Sequence, residues 1–271
     1  MYGAILGDII GEPYERHNIK SKSFPLFSEH ARFTDDSVMT IAVAEALMKA
    51  GGRRVIADEK ETKDILVECM HKWGSKYPNA GYGGRFRQWL KNNEQEPYNS
   101  WGNGSAMRMS SVAWLCDDLE TTRKIAKWTA EVTHNHPEGV KGAEAVASAI
   151  FMARTGCSKD DIKKYIEKEF GYDLDRTCDD IRPNYMFDVS CQGSVPEAII
   201  AFLDGTDFED TIRNAISLGG DSDTIGAMAG SVAEAYFGIP DALKDECDKR
   251  LPDDMADILL MLHNDRRIQL M

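Results

Sequence analysis

Apolar residues recur every three or four positions over most of the chain, the spacing that puts them on one face of an α-helix. The segments with this pattern are 40–50, 64–75, 105–116, 122–133, 139–155, 160–170, 195–204, 208–218, 223–238 and 255–264. Strand-like alternation is scarce, and its best example, Tyr185–Ser190, is weak. The pattern therefore predicts an all-α protein.

Helix stops are marked by glycine and proline at 51–52, 205–207 and 238–240. No low-complexity linker divides the 271 residues, so we expect one domain over residues 1–271. The longest irregular stretch, 171–194, is expected to be a surface or active-site segment.

The chain is acidic, with 45 Asp and Glu against 32 Lys and Arg and a formal net charge of −13. This charge disfavours non-specific binding to nucleic acids or anionic membranes and favours cations. The six cysteines are scattered without a C-x-x-C pair, and the N-terminal GAILGDII is too short and polar for a leader or a membrane span. We expect a cytoplasmic protein with reduced thiols and no membrane partner.

Three oxygen-bearing side chains stand together where a predicted helix begins, in RFTDDSVMTIAVAEAL: Thr34, Asp35 and Asp36. Helix capping alone could explain them, because threonine is a good N-cap and acidic residues suit a first helical turn. Taken by itself, this motif leaves capping and ligand binding both open.

A second stretch, GGDSDTIGAMAGSVAEAYFG, repeats the arrangement with Asp221, Asp223 and Thr224. The side chains that follow are small, so another helix can approach closely. If the two helix starts meet, four carboxylates come together and repel one another unless a cation is present. All-oxygen ligands suit two Mg²⁺ ions, with Mn²⁺ as the alternative, and no Cys/His spacing supports zinc.

The chain resembles the ADP-ribosylglycohydrolase family nearly from end to end. The segments that carry the resemblance are GAILGDIIGEPYE, FTDDS, WGNGSAMRMS, THNHPEGVKGAEA and GGDSDT, in this order. The resemblance implies an all-α orthogonal multi-helix bundle and metal-dependent cleavage at C1″ of ADP-ribose. The implied substrates are ADP-ribosylated proteins or small molecules, and nucleic acid only where it is itself modified.

The resemblance also implies a set of metal ligands, all present here: Thr34, Asp35, Asp36, Asp221, Asp223 and Thr224. Glu15 resembles the mobile glutamate of the serine-specific branch, which favours O-linked or ester substrates over arginine-linked ones; a solvated surface acid is the alternative. We expect a water molecule with a metal-lowered pKa to attack C1″. Asp35 or Asp36 could take its proton, and Glu15 is the rival acid/base.

The loop WGNGSAMRM has the glycines of a tight turn, followed by Ser105 as a helix cap. Backbone N–H groups at a helix start bind phosphate well. With the family resemblance, the residues expected to contact the diphosphate are Ser100, Gly102, Asn103 and Gly104. Trp101 is expected to stack on adenine or ribose. An ordinary glycine-rich turn beside a core tryptophan is the alternative.

His134, in THNHPEG, matches the substrate-contacting histidine of the family and is expected to bond a ribose hydroxyl or a phosphate; a polar loop histidine is the alternative. His136 is two positions away and does not share a helix face with it, which argues against a joint metal site. Pro137 is expected to begin the next helix.

Three rival functions stay open. A bimetal phosphohydrolase could cleave the pyrophosphate with the same cations. A non-catalytic ADP-ribose-binding or crystallin-like structural protein is disfavoured by the complete ligand set. A terpene-synthase-like enzyme lacks its D-D-x-x-D motif here and has no use for the glycine-rich loop. The acceptor linkage and the general base are not decided by the sequence.

Overall fold

The computed structural model describes residues 1–52 and 58–267, and within them the chain forms α-helices and no strand. The helices are α1 (Tyr2–Glu15), α2 (Asp35–Lys49), α3 (Glu59–Lys76), α4 (Gly84–Lys91), α5 (Ser110–Leu115), α6 (Leu119–Glu131), α7 (Pro137–Arg154), α8 (Lys159–Phe170), α9 (Cys178–Ile181), α10 (Cys191–Asp204), α11 (Phe208–Ser217), α12 (Ser222–Phe237), α13 (Asp241–Asp248) and α14 (Asp253–Arg267). The all-α prediction is confirmed. Parts of the predicted domain, 53–57 and 268–271, lie outside the described residues.

The weak strand-like alternation at Tyr185–Ser190 forms no strand, in agreement with the all-α prediction. Met186, Phe187 and Val189 are all exposed, and the segment makes one isolated bridge, from Ser190 to Gly102. A strand needs a neighbouring strand for its hydrogen bonds, and its surroundings here are helical. The helix expected from residue 105 begins only at Ser110, after a single 3₁₀ turn at Asn103–Ser105.

Helices α1 and α12 run antiparallel with their backbones in contact. Gly3 and Gly7 of α1 face Gly230 and Gly226 of α12, and a Cβ atom on Gly7 would lie 2.0 Å from the Gly226 carbonyl oxygen. No side chain can occupy that space. The close approach expected from the small residues of α12 is confirmed, and it places the start of α12 beside the end of α1.

The first turns of α2 and α12 are inside the molecule. Asp36–Leu47 of α2 and Ser222–Ala233 of α12 are buried without a break, within one continuous apolar core. The acids at both helix starts are therefore held away from bulk water, where charges interact strongly. Among the described residues, no helix has both the length and the apolar run needed to cross a membrane.

Candidate active site

A buried carboxylate on α1, Asp8, satisfies the start of α2. It accepts hydrogen bonds from the Thr34 amide at 2.8 Å, the Thr34 hydroxyl at 2.7 Å, the Ser37 amide at 3.0 Å and the Ser37 hydroxyl. Thr34 is the N-cap residue of α2, and its hydroxyl also accepts a long 3.3 Å hydrogen bond from the Asp36 amide. Because Asp8 caps this helix from outside, Asp36 is not needed for capping and its carboxylate faces the site.

The two helix starts meet at Asp36. The Thr224 hydroxyl donates to Asp36 Oδ2 at 3.1 Å. Asp8, Asp36 and Asp223 each bring a carboxylate oxygen within 4.8 Å of the other two. Asp36 Oδ1 is buried and has no hydrogen-bond partner. A buried carboxylate oxygen normally has a partner, so this atom points to a missing ligand.

A second group of carboxylates shares Asp223 with the first and consists of Glu15, Asp221 and Asp223, again within 4.8 Å. Asp221 is the N-cap residue of α12 but makes no side-chain cap. Its Oδ2 instead accepts a 2.7 Å hydrogen bond from the Asn103 side chain. Asn103, predicted as a diphosphate contact, thus also joins the glycine-rich loop to the acidic end of the site.

Asn18 joins the end of α1 to the start of α12. Its Nδ2 donates to the carbonyls of Glu15 at 2.9 Å and Gly220 at 3.1 Å, and its Oδ1 accepts from the Gly220 amide at 2.8 Å. Gly219 and Gly220 have φ values of 74° and 71°, a region that favours glycine. Asn18 and Asp8 could not be predicted as site residues from the sequence, because each stands alone outside the repeated motif.

Burial is the main cause of the high pKa values in this acidic cluster. It raises the pKa of Asp35 to about 8 and that of Asp221 to about 6, and the charge of Asp8 also raises the pKa of Asp35. For Asp36 and Asp223, burial and then neighbouring carboxylates raise the pKa well above its ordinary value. A cluster of carboxylate oxygens whose negative charges repel one another suits a hard divalent cation.

The carboxylates form one end of a cleft of about 440 Å³. The predicted site residues that line it are Glu15, Thr34, Asp35, Asp36, Ser100, Gly102, Asn103, Gly104, His134, Asp221, Asp223 and Thr224. Trp101 is not among the lining residues, and its side chain is 47% exposed. The geometry therefore gives no support to stacking by Trp101, while it brings the other predicted residues together.

The glycine-rich loop at residues 102–104 does not present free amides to a diphosphate in the way expected from the sequence. The Gly102 amide donates to Ser100 Oγ at 3.2 Å and the Asn103 amide to the Val189 carbonyl at 2.8 Å, so both are already used. Neither Gly102 nor Gly104 has a positive φ. A Cβ on Gly104 would lie 3.2 Å from His134 Nε2, so this glycine makes room for the imidazole.

The expected cap on the helix after this loop was wrong. Ser105 donates to the Gly139 carbonyl at 2.7 Å and does not cap α5. Ser105 belongs to the 3₁₀ turn and α5 starts later, so its hydroxyl is left to fasten the loop to α7. Pro137 does begin α7, as predicted, after His136 as N-cap.

Arg108 is a buried cation beside this loop, and its role was not predictable from the sequence. Its side chain donates to the Thr129 carbonyl at 2.8 Å and the Thr133 hydroxyl at 2.9 Å, and it lines the cleft. Within the described residues no carboxylate pairs with it, and its buried Nε has no partner. Burial lowers the Arg108 pKa to about 10. Its charge still needs a counter-ion.

His134 is held in a defined tautomer by the same network. Thr133 Oγ1 accepts from Arg108, which leaves its proton for His134 Nδ1 at 2.7 Å. We assign the ring proton to Nε2 on this network, and Nε2 faces the loop. Burial, and then the charge of Arg108, lowers the His134 pKa well below its usual value, so the ring is neutral.

Apolar and aromatic side chains complete the cleft. Phe86 and Tyr98 line it, together with Phe187 and Val189 from the irregular stretch 171–194. Phe187 is 54% exposed in spite of its size. The stretch expected to be a surface or active-site segment thus contributes to the cleft, although it also contains the short helix α9.

An all-helical fold whose cleft is lined by clustered carboxylates and a buried cation suits a hydrolase of charged glycosides. The family model described as ADP-ribosylglycohydrolase matches residues 1–268. The chain therefore belongs to the ADP-ribosylglycohydrolase family, as its five motifs predict, and is an ADP-ribosyl hydrolase.

Known proteins agree with this assignment. ADP-ribosylhydrolase ARH3 of Mus musculus is 26% identical over 91% of this chain and 85% of its own length. ADP-ribosylhydrolase ARH3 of Homo sapiens is 25% identical, with 91% and 87% covered. A solved structure titled "ADP-ribosylglycohydrolase-related protein complex" superposes with a TM-score of 0.69, covering 97% of this chain and 95% of that one at 23% identity, which shows the shared fold.

Proposed function

We propose that this protein hydrolyses the bond at C1″ of ADP-ribose in a metal-dependent reaction, and that O-linked or ester acceptors are better substrates than arginine-linked ones. The observation that carries the proposal is that one cleft contains both an acidic cluster and a buried cation. The clustered carboxylates, the guanidinium of Arg108 and the glycine-rich loop all line it. ADP-ribose offers a partner to each, since its anionic diphosphate lies next to the ribose that is cleaved.

The acidic end has the donors for two Mg²⁺ or Mn²⁺ ions. The residues proposed to hold them are Thr34, Asp35, Asp36, Asp221, Asp223 and Thr224, with Glu15 beside them. Two observations support this assignment. Asp36 Oδ1 is buried without a hydrogen-bond partner, and the two groups of carboxylates share Asp223. When bound, such cations orient the distal ribose hydroxyls and lower the pKa of water.

Beside the glycine-rich loop, Arg108 and His134 would hold the diphosphate. Arg108 supplies the buried positive charge, and a phosphate oxygen would neutralise it through a charge-assisted hydrogen bond. His134 Nε2–H is aimed at the loop and can donate to a phosphate or ribose oxygen. The exposed Phe187, with Val189, offers an apolar surface for adenine.

The proton transfers are assigned to carboxylates at the acidic end. Asp35 or Asp36 would take a proton from the attacking water as oxocarbenium character develops at C1″. Glu15 ends α1 and its side chain is partly exposed, at 27%, so it can reach a leaving group. A proton from Glu15 to the leaving oxygen would release an alcohol or acid acceptor.

The test is product analysis by mass spectrometry on a panel of ADP-ribosylated substrates, with Mg²⁺ and with EDTA. Intact ADP-ribose and the free acceptor are expected, only with metal, and chiefly from O-linked substrates. Release of AMP would instead identify a pyrophosphohydrolase. Tight ADP-ribose binding without turnover of any linkage would identify a binding protein. Efficient cleavage of ADP-ribosyl-arginine alone would reverse the acceptor preference.

We also propose that residues 1–271 form one cytoplasmic domain. The described part has one continuous apolar core, and none of the six cysteines forms a disulfide. These features agree with a reducing compartment.

A further inference from the structure

A second, larger groove of about 1100 Å³ opens beside the cleft. The residues that line both are Glu15, Arg16, Thr34 and Gly81. No residue of the loop Gly102–Gly104 lines the groove. The two cavities therefore join beside Glu15 and Thr34, next to the acidic cluster, and the groove does not extend to the glycine-rich loop.

The groove is rich in cationic side chains although the protein carries a net charge of −13. Its cationic lining residues are Arg16, Arg32, Lys76 and Arg87, against the carboxylates of Glu12 and Glu15. His17 and His30 also line it. A local excess of positive charge on an acidic protein is a selective attraction for a small anionic group.

Contacts already present leave most of these donors available. Arg32 pairs with Glu12 at 3.0 Å through Nε, but its side chain is 78% exposed. Arg16 lies 3.8 Å from Glu15 and is 85% exposed. Arg87 donates one N–H to the Tyr82 carbonyl at 2.9 Å. A guanidinium has five N–H donors, so each arginine retains donors for a carboxylate. Lys76 is the exception, because it is occupied by Asp254.

We infer that this groove binds the acceptor, and that the acceptor is a peptide segment with acidic side chains next to the ADP-ribosylated residue. The inference rests on the proposed function, since cleavage at C1″ puts the acceptor at the acidic end of the cleft, where the groove begins. The groove is larger than the cleft and so has room for several residues. The overall negative charge of the protein disfavours a long polyanion such as nucleic acid.

The experiment compares peptides with one ADP-ribosylated serine flanked by glutamates, glutamines or lysines. At low salt, kcat/KM for the glutamate peptide should exceed that for the glutamine peptide by about 5–20-fold, the effect of two or three exposed ion pairs. The lysine peptide should be the poorest. High salt should reduce the preference, because exposed charges are screened.

The groove variant is Arg32→Gln/Arg87→Gln, with Lys164→Gln on the exposed face of α8 as the matched control. The double variant should lose the preference, whereas the control should keep it. Hydrolysis of a single blocked ADP-ribosyl-serine, which has no flanking residues, should stay close to the wild-type rate. If the double variant does not fold, Arg32→Gln alone is used, since its side chain is exposed.

Equal rates for all three peptides would overturn the groove assignment and leave the hydrolase intact. Faster cleavage of an oligonucleotide ADP-ribosylated on its terminal phosphate would also overturn it. If no linkage is cleaved at all, anisotropy of a labelled, unmodified glutamate peptide decides. Binding that depends on Arg32 and Arg87 would support the groove and refute the proposed function, and absence of binding would refute the groove.

Discussion

At the scale of single residues, position in the fold decides what an acid does. Asp35 and Asp36 have the sequence signature of acids in a first helical turn, yet the amides at this helix start bond to Asp8 and Thr34 instead. The sequence could predict the carboxylates of both helix starts because they form a repeated motif. It could not predict Asp8 or Arg108, since one charged residue in an apolar segment has no pattern around it and its role depends on distant neighbours.

Arg108→Met should weaken ADP-ribose binding by about 10–100-fold, the range for hydrogen bonds to a charged group. The melting temperature should stay the same or rise, because a buried charge without a counter-ion is removed. Isothermal titration and thermal melts measure the two effects. Arg123→Met is the matched control: Arg123 pairs with Glu144 and Glu169, so its loss should affect stability and leave ADP-ribose affinity unchanged.

His134 should make folding sensitive to acid. Its pKa is lowered in the folded protein, so the unfolded chain binds the proton first. This contribution to stability is complete above about pH 6.5 and falls by about 1.4 kcal/mol per pH unit below it. Urea unfolding between pH 5 and 7.5 should show this loss in the wild type relative to His134→Gln. Parallel curves for the two proteins would mean that His134 is protonated in the folded state.

At the scale of helices, apolar periodicity identified most of the long elements, although not α1, and missed several of the short ones. Helices α4 and α13 have eight residues each and few buried positions, too little for a periodic signal. The packing of α1 against α12 was only partly predictable from the sequence. The small residues of α12 indicated that another helix packs closely on it, but no feature of the segment indicated which helix. The juxtaposition depends on glycines from two distant segments that match only in the folded chain.

Gly7→Ala should strongly destabilise the protein, because the new Cβ would meet the Gly226 backbone at 2.0 Å and backbone cannot move aside like a side chain. Overpacking costs about 1–3 kcal/mol or more, and each kcal/mol lowers the melting temperature by about 2–4 °C. Thermal melts test this. Gly83→Ala is the control, since its Cβ would meet nothing within 4 Å and its melting temperature should not fall.

At the scale of the whole molecule, some surfaces have a local charge opposite in sign to the net charge. The formal net charge is −13, yet a buried arginine lines the cleft and further arginines line the adjoining groove. The net charge read from composition agrees with the acidic cluster of the cleft. It could not show these local reversals, because they arise from residues far apart in sequence.

Removing divalent metal should lower the stability of the whole protein. Mg²⁺ at about 100 times its Kd should stabilise the fold by about 2.7 kcal/mol, which thermal melts with Mg²⁺ and with EDTA would detect. Asp223→Asn should abolish the Mg²⁺ effect and, in EDTA, melt higher than the wild type, because repulsion among the acids is relieved. Asp241→Asn, at an exposed position, should respond to Mg²⁺ like the wild type. Identical melts of the wild type in Mg²⁺ and EDTA would contradict the metal assignment.

The seam between α1 and α12 has a consequence for synthesis on the ribosome. Helix α1 is synthesised before its partner α12, which ends at Phe237, more than two hundred residues later. At about 5–20 residues per second, the apolar helix α1 waits roughly 10–45 s for the surface that buries it. Neither group of carboxylates can be completed earlier, since both include Asp223, in the first turn of α12. The nascent chain therefore exposes a glycine-lined apolar helix until α12 has been made, and the acidic cluster forms only then.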